Sequence, residues 1–376
     1  MPNINNTKTV LYSWGVLTNT IIGIGMFALP YSAMKVGVPA ALFYLAALAL
    51  VAAAIHIMFA RVSLKTPDYK RLVGFCRIHL GRWAQYVAGA TAIVGFLGSL
   101  LAYIIIGGRF LHEFLSPAIG APEIFCCIAY AIAGAAFVYW GINIAAKIEF
   151  WGLALFFLIL VILTTKGAPL VSGQNLFLFT GTASDFFFPY GPMLFAFWGT
   201  SSIPEIEEIM ARNGSKKFFN KVIVWSLGTA FLAYAAFIVL VAGVSGAQTT
   251  QDALVGLQSV LGQKTSSMLF FFGFITSFTS FVITGIALRK ILSYDLKINK
   301  KIAWAAVSFI PLLLFLSGLN DFMLLFSLIG GILLAIDGIL IILMYKKIFP
   351  EKKFIAYPML LLLGAGIIYE IIYNLI

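Results

Sequence analysis

Inside the apolar run that begins near residue 10, TNTIIGIGMFALPYS (18–32) sets Asn19, two glycines at 23 and 25, and Pro30 where a helix should be continuous. A second stretch, LFAFWGTSSIPEIEEIM (194–210), repeats the pattern with Gly199, three small hydroxyl residues and Pro204. Proline has no N–H, and glycine costs about 1 kcal/mol against alanine in a helix interior, so neither run favours a regular helix. Hydrocarbon has no water to replace a missing backbone bond, and interrupted helix persists only where it is buried in protein or lines a cavity. The chemistry on offer is that of freed backbone. The N–H groups of Gly23, Ile24, Gly25 and Met26, at the positive end of the following half-helix, suit an anion such as a carboxylate. Carbonyls freed at Phe195, Ala196 and Trp198 suit a cation such as an ammonium group. Taken singly, either break also reads as close helix packing, because glycine and proline are common in membrane helices.

The elements that position these breaks follow from composition. A chain of 376 residues with 61% hydrophobic and 10% charged residues and a mean hydropathy of +1.01 is a polytopic all-α membrane protein. At about 20 apolar residues per crossing, eleven spans are expected, near 10–35, 38–60, 84–114, 123–141, 148–166, 187–210, 220–245, 265–289, 302–318, 321–345 and 354–375. The first is read as an uncleaved span, being too long for a signal-peptide core. With the N-terminus cytoplasmic, every lysine and arginine except Lys35, Arg109, Lys166 and Lys264 falls on the inner side, which puts the C-terminus outside the cell membrane. The net charge of +11 is therefore a topology signal and gives no support to nucleic-acid binding. Cys76, Cys126 and Cys127 form no disulfide framework and no metal spacing. Gly25 and Gly199 lie 174 residues and five spans apart. An odd number of intervening spans inverts the second half, so 10–166 and 187–346 read as inverted repeats, with 354–375 as an added helix.

Three stretches resemble the amino acid/auxin permeases of the amino acid, polyamine and organocation superfamily: NTIIGIGMFALPYSAMKVG (19–37), GSLLAYIIIGG (98–108) and LFAFWGTSSIPEIEEIM (194–210). The resemblance implies a LeuT-like fold of five-plus-five inverted repeats, with an amino acid held between broken helices one and six. It implies Tyr103 near the substrate carboxylate, and Phe195 or Trp198 closing the site beside Ala196 and Gly199. By residue chemistry alone Tyr103 is equally an interhelical tyrosine. The chain departs from the fullest family pattern in having no twelfth span, and oligomeric state stays open.

For coupling, two sets compete. Asn19, Ile22, Thr279 and Ser280 are candidate sodium ligands, their oxygens suiting a hard cation, although such hydroxyls also bond their own helix. Glu205 and Asp337 are candidate proton carriers, as intramembrane ionisable residues, with a structural pair to Lys147 or Arg289 as the alternative. Glu149, His56 and Glu370 complete the intramembrane ionisable set, Glu149 beside Lys147. Arg109 and Glu113 have the spacing of a local ion pair. The loop 245–262 reads either as a lid or as a surface helix, and the basic loop 61–83 as an amphipathic segment on headgroups.

The expected function is secondary active import of amino acids coupled to Na+ or H+, with no cofactor beyond a coupling ion. A carrier of another organic solute and a non-transporting nutrient sensor are the alternatives. An enzyme is disfavoured, because His56, His79 and His112 fall in different segments and GTSS at 199–202 has no partnered base.

Overall fold

The structure, a computed structural model, describes residues 4–66, 70–140 and 145–375. Among these it contains helices and no strand. The first break separates α1 (Ile4–Ile21) from a 3-10 segment (Ile24–Ala28) and α2 (Leu29–Val36), and the two arms meet at 45°. Then follow α3 (Val38–Lys65), the short α4 (Leu72–His79), α5 (Arg82–Ile119), α6 (Glu123–Trp140), α7 (Ala145–Gly167) and α8 (Gly173–Phe177). The second break separates α9 (Tyr190–Ala196) from a 3-10 turn (Thr200–Ser202) and α10 (Ile203–Arg212). Beyond it come α11 (Phe219–Ser245), α12 (Gln258–Leu261), α13 (Gln263–Lys290) and α14 (Lys300–Leu316). A last bent element runs from α15 (Phe322–Leu328) through a π turn (Ile329–Leu334) into α16 (Ala335–Ile348), and α17 (Lys353–Leu375) follows.

Helices occupy all eleven expected positions, but fewer are full-length spans. Seven of the described helices are long and apolar enough to cross a membrane, and the bent α1–α2 pair makes eight. The other three positions fall short for separate reasons: α7 lies partly outside the described side chains, the sixth is cut into α9 and α10, and α14 has 17 residues.

Neither proline sits at its break. Pro30 and Pro204 stand in the first turns of α2 and α10, where the missing N–H has no intrahelical acceptor in any case. The interruptions fall earlier, at Ile22–Gly23 and at Phe197–Gly199.

Two groups of helices surround the breaks. Helices α5 and α13 pack along each other with α6 and α14 beside them, while α1, α3, α10 and α11 enclose the breaks. Helix α9 lies on the π turn, and α17 packs on α16 and that same turn. One end of the molecule gathers the charged contacts of Arg71 with Glu205, Lys216 with Glu207, and Lys347 with the His79 carbonyl. It is called the basic face below. Within α4, Phe75 and Cys76 are buried, so the basic loop is anchored by packing as well as by charge. Cys126 and Cys127 are buried free thiols.

At the opposite face the loop after α11 is pinned. Asp252, 2% exposed, accepts from the Val255 N–H at 2.9 Å and pairs with Arg109 at 3.3 Å. Asp252, rather than the expected Glu113, is thus the ion-pair partner of Arg109. Asp252→Ala should destabilise the protein by about 1–3 kcal/mol, the cost of stripping a buried cap and pair. It should also open 245–262 to proteolysis, both read by thermal unfolding and limited digestion in detergent.

Candidate functional site

Breaking a helix inside the membrane strands acceptors at the end of the first arm and donors at the start of the second. The protein satisfies three of them with two buried side chains. Tyr234 of α11, fully buried, places its hydroxyl 2.7 Å from the Ile21 carbonyl and 2.9 Å from the Ala196 carbonyl. One phenol, sharing its single hydrogen between two acceptors, therefore caps the last residues of both α1 and α9. His56 of α3, also fully buried, accepts the Gly199 N–H at its Nε2 (3.0 Å), and its Nδ1 donates to the Ala52 carbonyl at 2.7 Å. Those two contacts fix the Nδ1–H tautomer, because Nε2 must offer a lone pair. The ring also meets Trp198 edge-on.

The first break differs from the second. The Gly23 N–H bonds the Ile21 carbonyl at 2.9 Å, and the 3-10 segment closes its first bond from Met26 N–H to Gly23 O at 3.3 Å. The N–H groups of Ile24 and Gly25 thus begin the segment with no intrahelical acceptor. Both residues line a cavity of about 260 Å³, close to the lower limit of small-molecule sites. A Cβ at Gly23 would meet nothing within 4 Å, so the cavity wall is open there. One at Gly25 would lie 2.9 Å from the Ala196 Cα, so at that point the two breaks touch.

Aromatic side chains and small hydroxyls complete the cavity: Phe96, Tyr103, Phe195 and Trp198, with Thr20, Ser99, Thr200, Ser201 and Thr284. Tyr103 faces the hydroxyls of Ser280 and Thr284 on α13. Asp337 lines the wall as well, 7% exposed, and accepts from the Thr91 hydroxyl at 2.6 Å. No described cation pairs with it. The cavity runs toward the basic face, where Arg71 and Pro204 line its mouth and Arg71 pairs with the exposed Glu205 at 3.0 Å. In the other direction it is shut. The Phe195 ring lies on Phe326 (centroids 4.2 Å apart), which lies on Phe322 (4.3 Å).

Of the expected substrate residues, Gly23, Ile24, Gly25, Tyr103, Phe195, Ala196 and Trp198 line the cavity, while Met26 is buried outside its lining and Gly199 sits behind it against His56. The Ala196 carbonyl is already engaged by Tyr234, and the Phe195 carbonyl accepts the Trp198 N–H at 3.1 Å. Of the expected sodium ligands, Thr279 donates to the Thr276 carbonyl of its own helix and Ser280 faces Tyr103. Neither Asn19 nor Ile22 has a described hydrogen bond to them. Of the anticipated partners of Glu205 and Asp337, one is engaged elsewhere and one is not described. Arg289 donates to the carbonyls of Val138 and Tyr139, and the side chains of Lys147 and Glu149 lie outside the described residues. Tyr234 and the capping role of His56 escaped the sequence reading, since a lone tyrosine or histidine in an apolar run carries no local signal of its distant partner.

The sequence profile of the tryptophan/tyrosine permease family matches residues 6–372. The chain belongs to the tryptophan/tyrosine permease family. This places it in a family other than the amino acid/auxin permeases. As a permease it binds and translocates a solute and is not an enzyme. No curated protein matches the chain. Among solved structures it is similar to MhsT in complex with L-phenylalanine, at 16% identity and a TM-score of 0.58, covering 98% of this chain and 99% of that one. It is similar also to Mhp1, a nucleobase-cation-symport-1 family transporter, closed with bromovinylhydantoin bound (11% identity, TM-score 0.65, 96% and 92% covered). A manganese transporter from Eremococcus coleocola aligns at 12% identity and a TM-score of 0.65, over 99% and 96% of the two chains. These likenesses establish a LeuT-like fold for this permease.

Tyr234→Phe leaves the Ile21 carbonyl with the Gly23 N–H but strands the Ala196 carbonyl, and should cost about 1–3 kcal/mol, the penalty for a buried unsatisfied acceptor. His56→Ala should cost a similar amount and loosen only the second break. Thermal unfolding of both variants, with uptake measured in parallel, checks whether the breaks need these caps.

Proposed function

We propose that this permease imports an aromatic amino acid by alternating access, with the proton as its coupling ion. The observation that carries the reading is the pair of N–H groups at Ile24 and Gly25, free of intrahelical acceptors and set in the wall of an aromatic-lined cavity. An anion is welcome there, because backbone donors and the positive end of a helix converge. The substrate carboxylate binds at those donors, its ammonium group lies toward the second break, and its ring packs among Phe96, Phe195 and Trp198. The family's name specifies tryptophan and tyrosine, and the MhsT structure holds L-phenylalanine, which supports an aromatic side chain.

Residues 10–166 and 187–346 act as the two inverted repeats, with the substrate between their first helices. The basic face is cytoplasmic by the excess of lysine and arginine. The cavity then leads inward, and the Phe195–Phe326–Phe322 stack closes it to the outside. The proton is favoured as driver because Asp337 lines the cavity with no described cation paired to it.

Liposomes carrying the purified protein should accumulate labelled tryptophan or tyrosine under an inward proton gradient and not under a sodium gradient. Accumulation with sodium alone would transfer the coupling role to the region of Asn19 and Thr279; absence of uptake with either would remove the amino acid assignment. Asp337→Asn should abolish gradient-driven accumulation while keeping counterflow exchange. Trp198→Ala should change competition among aromatic substrates by about 10–200-fold, the usual value of one apolar pocket contact.

A further inference from the structure

The joint where α9, the π turn and α17 meet holds a carboxyl group that the transport reading does not use. Glu370 of α17 is 1% exposed. Its Oε2 accepts from Asn374 Nδ2 at 2.7 Å, while Oε1 rests against the Gly191 backbone without a regular hydrogen bond. The Tyr190 hydroxyl beside it is also buried without a partner. Glycines make the space. A Cβ at Gly191 would lie 2.6 Å from Oε1 and one at Gly331 2.7 Å from the same oxygen, while one at Gly330 would strike the Gly191 carbonyl oxygen. Any side chain at these positions would drive α9 off the turn or expel the carboxyl.

The joint lies on the closed side of the cavity. Opening the site to the opposite face requires α9 to part from the π turn, since Phe195 on α9 and Phe326 at the turn's entrance close the route. Parting gives Glu370 water; closing takes it away. The titratable groups facing it are Tyr190 from α9 and Tyr369 and Tyr373 from α17. The π turn carries none. Asp185 reaches the cluster through its hydrogen bond with Tyr373 and its charge near Tyr369, and Lys35 faces Asp185. No described cation faces Glu370. Burying a carboxylate without a counter-cation is costly, whereas the neutral acid is tolerated, so closure and protonation of this group are thermodynamically linked.

We propose that Glu370 is a proton-linked latch of the opposite-face gate, a positioning residue separate from Asp337, which holds α9 against the π turn as the acid and releases it as the carboxylate. The proton leaves to, and returns from, the water that enters the opened joint. The proposal rests on the transport reading only for the premise that α9 parts from the turn.

The test uses the full-length protein in liposomes with Ser327→Cys as reporter. Ser327 is 2% exposed and touches Gly191, so a thiol there meets a membrane-impermeant maleimide only when the joint opens. Rates are normalised to Ile119→Cys, an exposed position on the same face, which removes the pH dependence of thiolate formation itself. With Glu370 present, normalised labelling should rise several-fold from acid to alkaline pH. Glu370→Gln, which keeps the shape, should hold it at the low rate across the range. Asp337→Asn should keep the pH dependence of labelling even though accumulation is lost, which separates failure of this latch from failure of the coupling assignment. A pH-independent rate with Glu370 present, or the same pH dependence in Glu370→Gln, would overturn the proposal.

Discussion

A backbone amide in hydrocarbon must find its partner within the protein, and the architecture of this permease depends on how that demand is met at two broken helices. Each break strands carbonyls on one side and N–H groups on the other. Tyr234 caps the carbonyls of both breaks with one hydroxyl, and His56 caps the Gly199 N–H of the second. What is left over is not symmetric. The second break is satisfied by a histidine, while the first presents Ile24 and Gly25 to a cavity. What these caps leave without an intrahelical acceptor is the pair of N–H groups that begin the 3-10 segment.

The same caps make the centre stiff. Tyr234 links α11 to the ends of α1 and α9, and Gly25 lets the two breaks approach to contact. Around that centre the two directions of exit are built from different forces. Toward the basic face the cavity ends at an exposed ion pair, Arg71 with Glu205, of the kind that contributes little in water and parts readily. Toward the opposite face it ends in stacked phenylalanines and interlocked glycines, where separation exposes apolar area and a buried carboxyl. A π turn carries that joint, and π turns are weaker than α-helix and frequent at functional sites.

Several site elements were legible from residue order because their signal is local. Gly23, Gly25 and Gly199 announced broken helix, and the aromatic and glycine pattern around Tyr103, Phe195 and Trp198 placed those residues in the cavity wall. Other elements had no local trace. Pro30 and Pro204 looked like the breaks themselves but start the second arms, because a proline at a helix start loses nothing that the helix needed. Thr279 and Ser280, read as cation ligands, acquire neighbours that no local pattern announces, the Thr276 carbonyl for one and Tyr103 for the other. Arg109 meets Asp252, far along the chain, instead of Glu113 one turn away.

By itself the sequence determined that the chain is a polytopic helical membrane protein interrupted at two related places, since hydropathy and the conformational cost of glycine act residue by residue. Only the tertiary structure decided which freed backbone groups stay free. That choice depends on side chains such as Tyr234, His56 and Asp337, whose partners lie one or more helices away, and a linear chain carries no record of which distant groups will meet.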